Sequence, residues 1–256
     1  MSLGIDISTV DTPWYLFGAP AEILDAFDAE AETRNDPLLK MWIEGQRSER
    51  TNHEHYERHG SFTNISAEQL SRPYALRREA VTRYAFSVTH LHALTAIGEF
   101  VGEKGLVSLG AGTGWWENRL SIEAGVNVIA YDLHPPGAGD NHWYANVEPF
   151  FDVRVGGVKV LREHAERTLF LSWPPYRDPF ARQALSEYER AGGSRLIYVG
   201  EELGGCCAND KFFGAVDLGM WDDDLPRRGR WTVEREIGVP QWMGIHDAIW
   251  CLRRVG

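Results

Sequence analysis

Val107-Ser108-Leu109-Gly110-Ala111-Gly112-Thr113-Gly114-Trp115-Trp116 decides how the chain is read. A short apolar run enters three alternating glycines, and an amphipathic stretch follows. Glycine permits a tight turn and a close approach of backbone to ligand. A helix that begins at such a turn offers free N–H groups and a partial positive charge. Downstream, an apolar run over 126–131 ends at Asp132. A carboxylate at that strand end can accept both hydroxyls of a ribose, and its spacing suits the arrangement in which an acid follows the loop by about 20 residues. Strand, glycine loop, helix and acid together point to a nucleoside site.

Outward from the loop, short apolar runs alternate with amphipathic stretches. Runs at 106–109, 126–131, 150–155, 168–171 and 196–199 read as strands. Segments 114–124, 158–166, 180–190 and 210–220 read as helices between or after them. This alternation predicts a parallel sheet with right-handed crossovers. Two later runs, 231–237 and 248–252, lack a helix between them. They predict a hairpin that places an antiparallel strand in the sheet. Before residue 100 the pattern is helical. Short helices fit 20–32 and 36–47, and one or two longer ones fit 66–100. Ser66, with Gln69 three residues on, has the form of a capping box. The expected fold is therefore α/β: a Rossmann-like, mostly parallel sheet with helices on both faces and a final antiparallel strand. An N-terminal helical cap is expected over 1–75, and the Rossmann-like domain over 76–256.

Composition sets outer limits. The 256 residues are 43% apolar and 25% charged, which suits a globular domain. A net charge of -11 repels a phosphate backbone and argues against a nucleic-acid partner. Arg72, Arg77, Arg78 and Arg83 cluster, and are expected on a solvated helix face. The three cysteines include an adjacent pair, Cys206-Cys207, with no disulfide framework. Reduced thiols and a cytoplasmic location are the expectation. No signal peptide pattern and no run of about 18 apolar residues is seen, so no membrane association is expected.

The glycine spacing discriminates among nucleotides. A dinucleotide fingerprint is G-x-G-x-x-G. Here the third glycine arrives one position early, and Trp115 occupies the fingerprint's last place. In this the chain resembles the class I S-adenosylmethionine (SAM)-dependent methyltransferases. The resemblance rests on Gly110, Gly112, Gly114 and Asp132 and covers roughly residues 100–256. It implies SAM as cofactor, with Gly110, Ala111, Gly112, Gly114 and Trp115 along its methionine part and Asp132 at its ribose. One departure is visible. The family usually carries an acid two positions before the first glycine, where this chain has Ser108.

A second motif, Ser172-Trp173-Pro174-Pro175-Tyr176, closes the run at 168–171. It resembles the (Asn/Asp/Ser)-Pro-Pro-(Tyr/Phe/Trp) motif of amino methyltransferases. A weakly basic nitrogen must lose a proton as it attacks the sulfonium methyl. A side-chain oxygen and a proline carbonyl can hold its N–H groups, and an aromatic ring can stack on the acceptor or on the cationic donor. Ser172, Trp173, Pro174 and Tyr176 are thus candidates to line the methyl-transfer site. Trp173 stands where the motif has a polar residue, so Ser172 or backbone must accept in its place.

Glu201, at the end of the 196–199 run, is a candidate to hold an ammonium or act as base. His246, beside Asp247, has the parts of a base and an orienting acid, although neighbours in an extended chain face opposite ways. His55 and His59 can share a helical face, but the H-E-x-x-H pattern is absent and no metal site is expected. Asp222–Asp224 reads as a solvated run. The combined expectation is a SAM-dependent methyltransferase acting on a small molecule or a peptide, at nitrogen. The alternatives are an O-methyltransferase and a non-catalytic SAM- or nucleoside-binding module. Oligomeric state is left open.

Overall fold

Strand β1, Leu106–Leu109, is buried at every position and lies in the middle of a seven-stranded sheet. In the computed structural model, which describes residues 7, 18–137, 141, 144, 146–219 and 230–255, the other strands are β2 (Val128–Asp132), β3 (Val153–Val155), β4 (Thr168–Ser172), β5 (Arg195–Gly200), β6 (Trp231–Gly238) and β7 (Ala248–Arg254). Their spatial order is β3-β2-β1-β4-β5-β7-β6. The strands from β3 across to β5 pair in parallel. β7 runs antiparallel to both β5 and β6, so it is the one reversed strand of the sheet. The Rossmann-like sheet with a final antiparallel strand is therefore present.

The order has a physical consequence. After β1 the chain builds outward through β2 and β3, then returns to place β4 on the other side of β1. The crossovers diverge there and open a crevice at the carboxyl ends of β1 and β4, where such sheets bind ligands.

Alternate residues of each strand enter different cores, as a period of two requires. Leu106, Phe170, Ile197, Ile249 and Cys251 join one cluster, while Val107, Leu109, Leu169, Leu196, Trp250 and Leu252 join the other. The second face is covered by α6 (Phe180–Arg190) and α7 (Asp210–Val216). The first is covered by α4 (Leu91–Val101) and α5 (Trp115–Ala124), together with α1 (Ala21–Arg34), α2 (Pro37–His59) and α3 (Ala67–Arg83).

The N-terminal helices share this first core with the sheet. Phe27 and Trp42 are fully buried in it, and the Trp42 indole N–H donates to Gln241 O at 2.9 Å. Arg34, 6% exposed, bridges Glu123 of α5 at 2.5 Å and Asp36 at 3.0 Å. Asp36 also caps α2 by accepting from Leu39 N. That cap starts a helix running to His59, well past the expected end at 47. Its polar second half still finds a partner in α3. Pro73 within α3 cannot donate to the carbonyl four residues back, Gln69 O. The buried Asn52 of α2 donates Nδ2 to that carbonyl at 3.4 Å.

Ser66 caps α3 through Gln69 N as its sequence predicts. The expected 66–100 helical region breaks at Tyr84, which leaves helical geometry (φ -125°, ψ -84°), and the buried residues Ala85, Ser87, Val88, Thr89 and His90 connect α3 to α4. Two other elements differ from expectation. The segment 158–166 forms a 3-10 helix, Val158–Glu163, and β3 is only three residues long. α7 ends at Val216; the expected end at Met220, the run Asp222–Asp224 and most of the first 17 residues lie outside the described residues.

Candidate functional site

The crevice at the carboxyl ends of β1 and β4 is a cavity of about 690 Å³. Its floor is the glycine loop. Gly110, Gly112 and Gly114 all have positive φ (77°, 53° and 73°). A Cβ on Gly112 would stand 2.8 Å from the Tyr144 ring, and one on Gly110 would stand 3.1 Å from Phe180. Both backbone conformation and space demand glycine there. Gly114, also expected along the cofactor, is not among the cavity-lining residues; it forms the N-cap of α5 without a side-chain cap, and a Cβ on it would stand 2.8 Å from Phe151.

Asp132, at the end of β2, fastens the loop. Its Oδ2 accepts from Gly112 N at 2.9 Å, and its Oδ1 accepts from His134 N at 2.8 Å. A carboxylate has about four acceptor sites. Two are used here, which leaves one on each oxygen for a diol. The donor set and the glycine cradle thus fit a nucleoside.

The sequence-predicted residues Gly110, Ala111, Gly112, Trp115, Asp132, Ser172, Trp173, Pro174 and Tyr176 all line this one cavity. Trp115 is 3% exposed, donates its indole N–H to Thr89 Oγ1, and packs edge-on against Tyr84 and Phe150. Most of its ring therefore serves the core.

Trp173 ends β4 with φ 48°, a conformation that is rare for a bulky side chain. The turn is held by its backbone N–H, which donates to Val199 O. The indole stacks on Phe86, with centroids 5.3 Å apart and planes 21° from parallel, and its Nε1–H donates to Asp247 Oδ2 at 3.3 Å. Asp247 is fully buried and also accepts from Ser87 Oγ, while its Oδ1 has no partner among the described residues. Burial raises its carboxyl from 3.8 to about 7, against the pull of the Ser87 and Trp173 hydrogen bonds. The proline carbonyls of the motif are engaged too: Pro174 O accepts from Ala208 N, and Pro175 O from Asp178 N.

Glu201 and His246 are not among the cavity-lining residues. Glu201 is 5% exposed and acts as a fastener: Oε2 accepts from Cys206 N at 2.8 Å and Oε1 from His246 N at 3.0 Å. The His246 side chain is 57% exposed, with Nδ1 3.9 Å from Glu201 Oε1. Asp247 next to it turns inward, so the two do face opposite ways. Cys207 and Cys251 are buried thiols and Cys206 is exposed. His55 and His59 lie near each other on α2 with rings tilted 43° to one another, and among the described residues no cluster of metal-ligating side chains occurs. No helix among the described residues is long and apolar enough to cross a membrane.

Two charged wall residues escaped the sequence reading as site residues. Glu117, on the first turn of α5, is 2% exposed, and Ser108 Oγ donates to its Oε1 at 2.5 Å. Burial raises its carboxyl from 4.5 to about 7; the Ser108 bond opposes this and the Asp132 charge adds to it. Arg77 of α3 also lines the cavity, and its Nε is buried without a partner among the described residues. Its cluster mates behave as expected of a solvated face, Arg72 pairing with Glu44 and Arg83 with Glu79. Arg77 departs from that expectation because its position on α3 turns it to the crevice.

No protein-family model matches the chain, and no curated protein matches it in sequence. Solved structures with a similar fold include the tRNA (uracil-54, C5)-methyltransferase of Pyrococcus abyssi in complex with S-adenosyl-L-homocysteine, at 13% identity and a TM-score of 0.37 over 64% of this chain and 37% of that one. The chain thus spans little more than a third of that protein. The magnesium protoporphyrin IX methyltransferase of Synechocystis PCC 6803 with bound SAM is similar at 12% identity and a TM-score of 0.39, covering 89% of this chain and 96% of that one. Human N-acetylserotonin methyltransferase in complex with SAM is similar at 12% identity and a TM-score of 0.35, over 96% of this chain and 75% of that one.

Proposed function

We propose that the chain is a SAM-dependent methyltransferase that acts on a small molecule or a peptide. One observation carries the reading: the shortened glycine loop, Asp132 with an open acceptor site on each oxygen, and the Ser172–Tyr176 turn meet in one cavity at the switch point of the sheet. SAM would lie along Gly110–Gly114 with its ribose at Asp132, and would supply an electrophilic methyl group. The chain's own residues would hold the acceptor in line beside Trp173 and Tyr176 and exclude water with their rings. Positioning of this kind supplies most of the rate in such a displacement.

The acceptor atom divides two readings. Nitrogen follows from the likeness of Ser172–Tyr176 to the amino-methyltransferase motif. Oxygen is the second reading: Trp173 stands where the motif has a polar side chain, its N–H is directed to Asp247, and its indole offers no acceptor. That leaves Ser172 Oγ as the side-chain acceptor for an amine.

Calorimetry with SAM and with NAD tests the cofactor. Saturable SAM binding and none for NAD is expected; the reverse overturns the reading. A metabolite extract incubated with methyl-labelled SAM tests catalysis. Release of S-adenosylhomocysteine with a labelled product is expected. SAM binding without turnover on any acceptor would leave a binding module instead. The bond in the product, N–CH3 or O–CH3, decides between the acceptor readings.

A further inference from the structure

The N-terminal helices lay one strip of chain along the cavity: Arg77 of α3, then Tyr84, Ala85 and Phe86 just past its end. The two ends of this strip differ in chemistry. At one end the Tyr84 carbonyl accepts from Thr113 Oγ1 of the glycine loop, and the Phe86 ring stacks on Trp173 of the β4 turn. Arg77 stands at the other end, seven residues back, which is about 10 Å along a helix. Helical side chains lean toward the N-terminus of their helix, so Arg77 projects farther from the glycine loop and not toward it. The strip thus leads from the methyl-transfer turn away from the cradle proposed for the cofactor.

Among the described residues that line the cavity, Arg77 is the only Lys or Arg. Its neighbours on α3, Arg72 and Arg83, pair with Glu44 and Glu79. Arg77 forms no ion pair among the described residues, and its Nε is enclosed without an acceptor. Enclosing such a donor is costly, and an anion on a ligand would offset the cost. Between Arg77 and the β4 turn the walls are aromatic. Phe86 and Trp173 stack on each other, and Tyr176, 53% exposed, lines the same cavity. Flat rings suit a flat ligand. One guanidinium with two parallel donors matches one carboxylate. A phosphate dianion would call for a second cation, and the other lining residues of fixed charge, Glu117, Asp132 and Asp178, are acids. The volume of about 690 Å³ is that of a site for one drug-sized ligand, so beside SAM it has room for a small acceptor. We propose that the methyl acceptor is a small aromatic carboxylic acid, its ring laid along the Phe86–Trp173–Tyr176 wall and its carboxylate held by Arg77. This inference rests on the methyltransferase reading and names the substrate class for it. The carboxylate itself is not methylated. An amine or hydroxyl of the acceptor forms the bond to the methyl carbon, the electron pair of the broken C–S bond stays on sulfur, and the proton of the attacking group passes to water.

The test starts from a metabolite extract incubated with the protein and methyl-labelled SAM. Label is expected in an ultraviolet-absorbing product that an anion exchanger retains and that phosphatase leaves unchanged. Converting the carboxyl groups of the extract to amides beforehand, with carbodiimide and ammonia, is expected to abolish labelling. Label in a neutral or cationic product, label that survives amidation, or a product altered by phosphatase overturns the proposal and leaves the methyltransferase reading standing. Failure to bind SAM, or SAM binding with no labelled product, overturns both. The purified acceptor is then used with two variants. Arg77→Met keeps the length and removes the charge. It is expected to raise the acceptor KM about tenfold or more, with kcat and the SAM dissociation constant each within about twofold of wild type. Arg77→Lys keeps the charge without the planar fork and is expected to fall between the two. Unchanged SAM binding also reports that the variant is folded. An unchanged acceptor KM, or a loss of SAM affinity equal to the loss for the acceptor, overturns the assignment of Arg77.

Discussion

The Ser108 hydroxyl donates a 2.5 Å hydrogen bond to Oε1 of Glu117, joining β1 to the first turn of α5 across the glycine loop. Both residues are 2% exposed. The bond ties the two ends of the loop together, so the backbone between them is held from both sides. Ser108→Ala would leave a buried carboxylate oxygen without its donor. The expected cost is about 1–3 kcal/mol in urea unfolding. A change within error would show that Glu117 re-pairs elsewhere.

The same pair makes a pH prediction. Burial raises the Glu117 carboxyl from 4.5 to about 7 in the folded chain. At pH 4 it is protonated in both folded and unfolded chains and contributes nothing. Between about 4.5 and 7 the unfolded carboxyl ionises while the folded one keeps its proton, so this group lowers stability as pH rises. Above about 7 the penalty is constant, of the order of 3 kcal/mol. Glu117→Gln is therefore expected to be more stable than wild type at pH 8 and nearly equal to it at pH 4. Asp247 titrates in a similar range but is common to both proteins, so the difference between them isolates Glu117. A pH-independent difference would mean that Glu117 ionises normally.

Asp132→Ala removes the acceptor of Gly112 N and the carboxylate at the end of β2. SAM affinity is expected to fall by about 1–3 kcal/mol. Unchanged affinity in calorimetry would displace the ribose from this strand end. Gly112→Ala should be at least as harmful, because it combines a positive φ with a contact on Tyr144.

Trp173→Phe keeps a ring to stack on Phe86 but deletes the donor to Asp247. Asp247, fully buried, would then keep one donor side chain, Ser87. Because the indole stands at the acceptor side of the proposed reaction, kcat is expected to fall at least tenfold while the SAM dissociation constant stays within twofold of wild type, each an order-of-magnitude figure. Equal loss of both would place Trp173 in the cofactor site.

The sheet was legible because its signals are local. A buried four-residue run before Gly110, apolar but for Ser108, and runs of similar length at β4 and β5, can be recognised without knowing their neighbours. Asp132 was legible through its spacing from the loop. Glu117 and Arg77 were not, for the same physical reason in each case. Their residue types ordinarily face solvent on a helix, and only the packing of α5 and α3 against the crevice turns them inward. Glu201 shows how packing constrains a strand-end acid. A carboxylate at a strand end looks reactive, but two loop N–H groups of high sequence separation from each other take up its oxygens.

The N-terminal helices give the last prediction. The sequence separates a cap at 1–75 from the sheet domain, yet Trp42 lies in the core cluster that also holds Phe170 and Ile249 of the sheet. Its indole N–H reaches Gln241, in the connection between β6 and β7. Trp42→Ala would open a cavity in a core shared by cap and sheet. A loss of about 3–5 kcal/mol is expected. If cap and sheet unfold together, urea transitions followed by helical signal and by tryptophan fluorescence should coincide in wild type and variant, with only the midpoint lowered. Two separate transitions, with the variant shifting only the first, would show instead that the cap is an independent folding unit laid on the sheet.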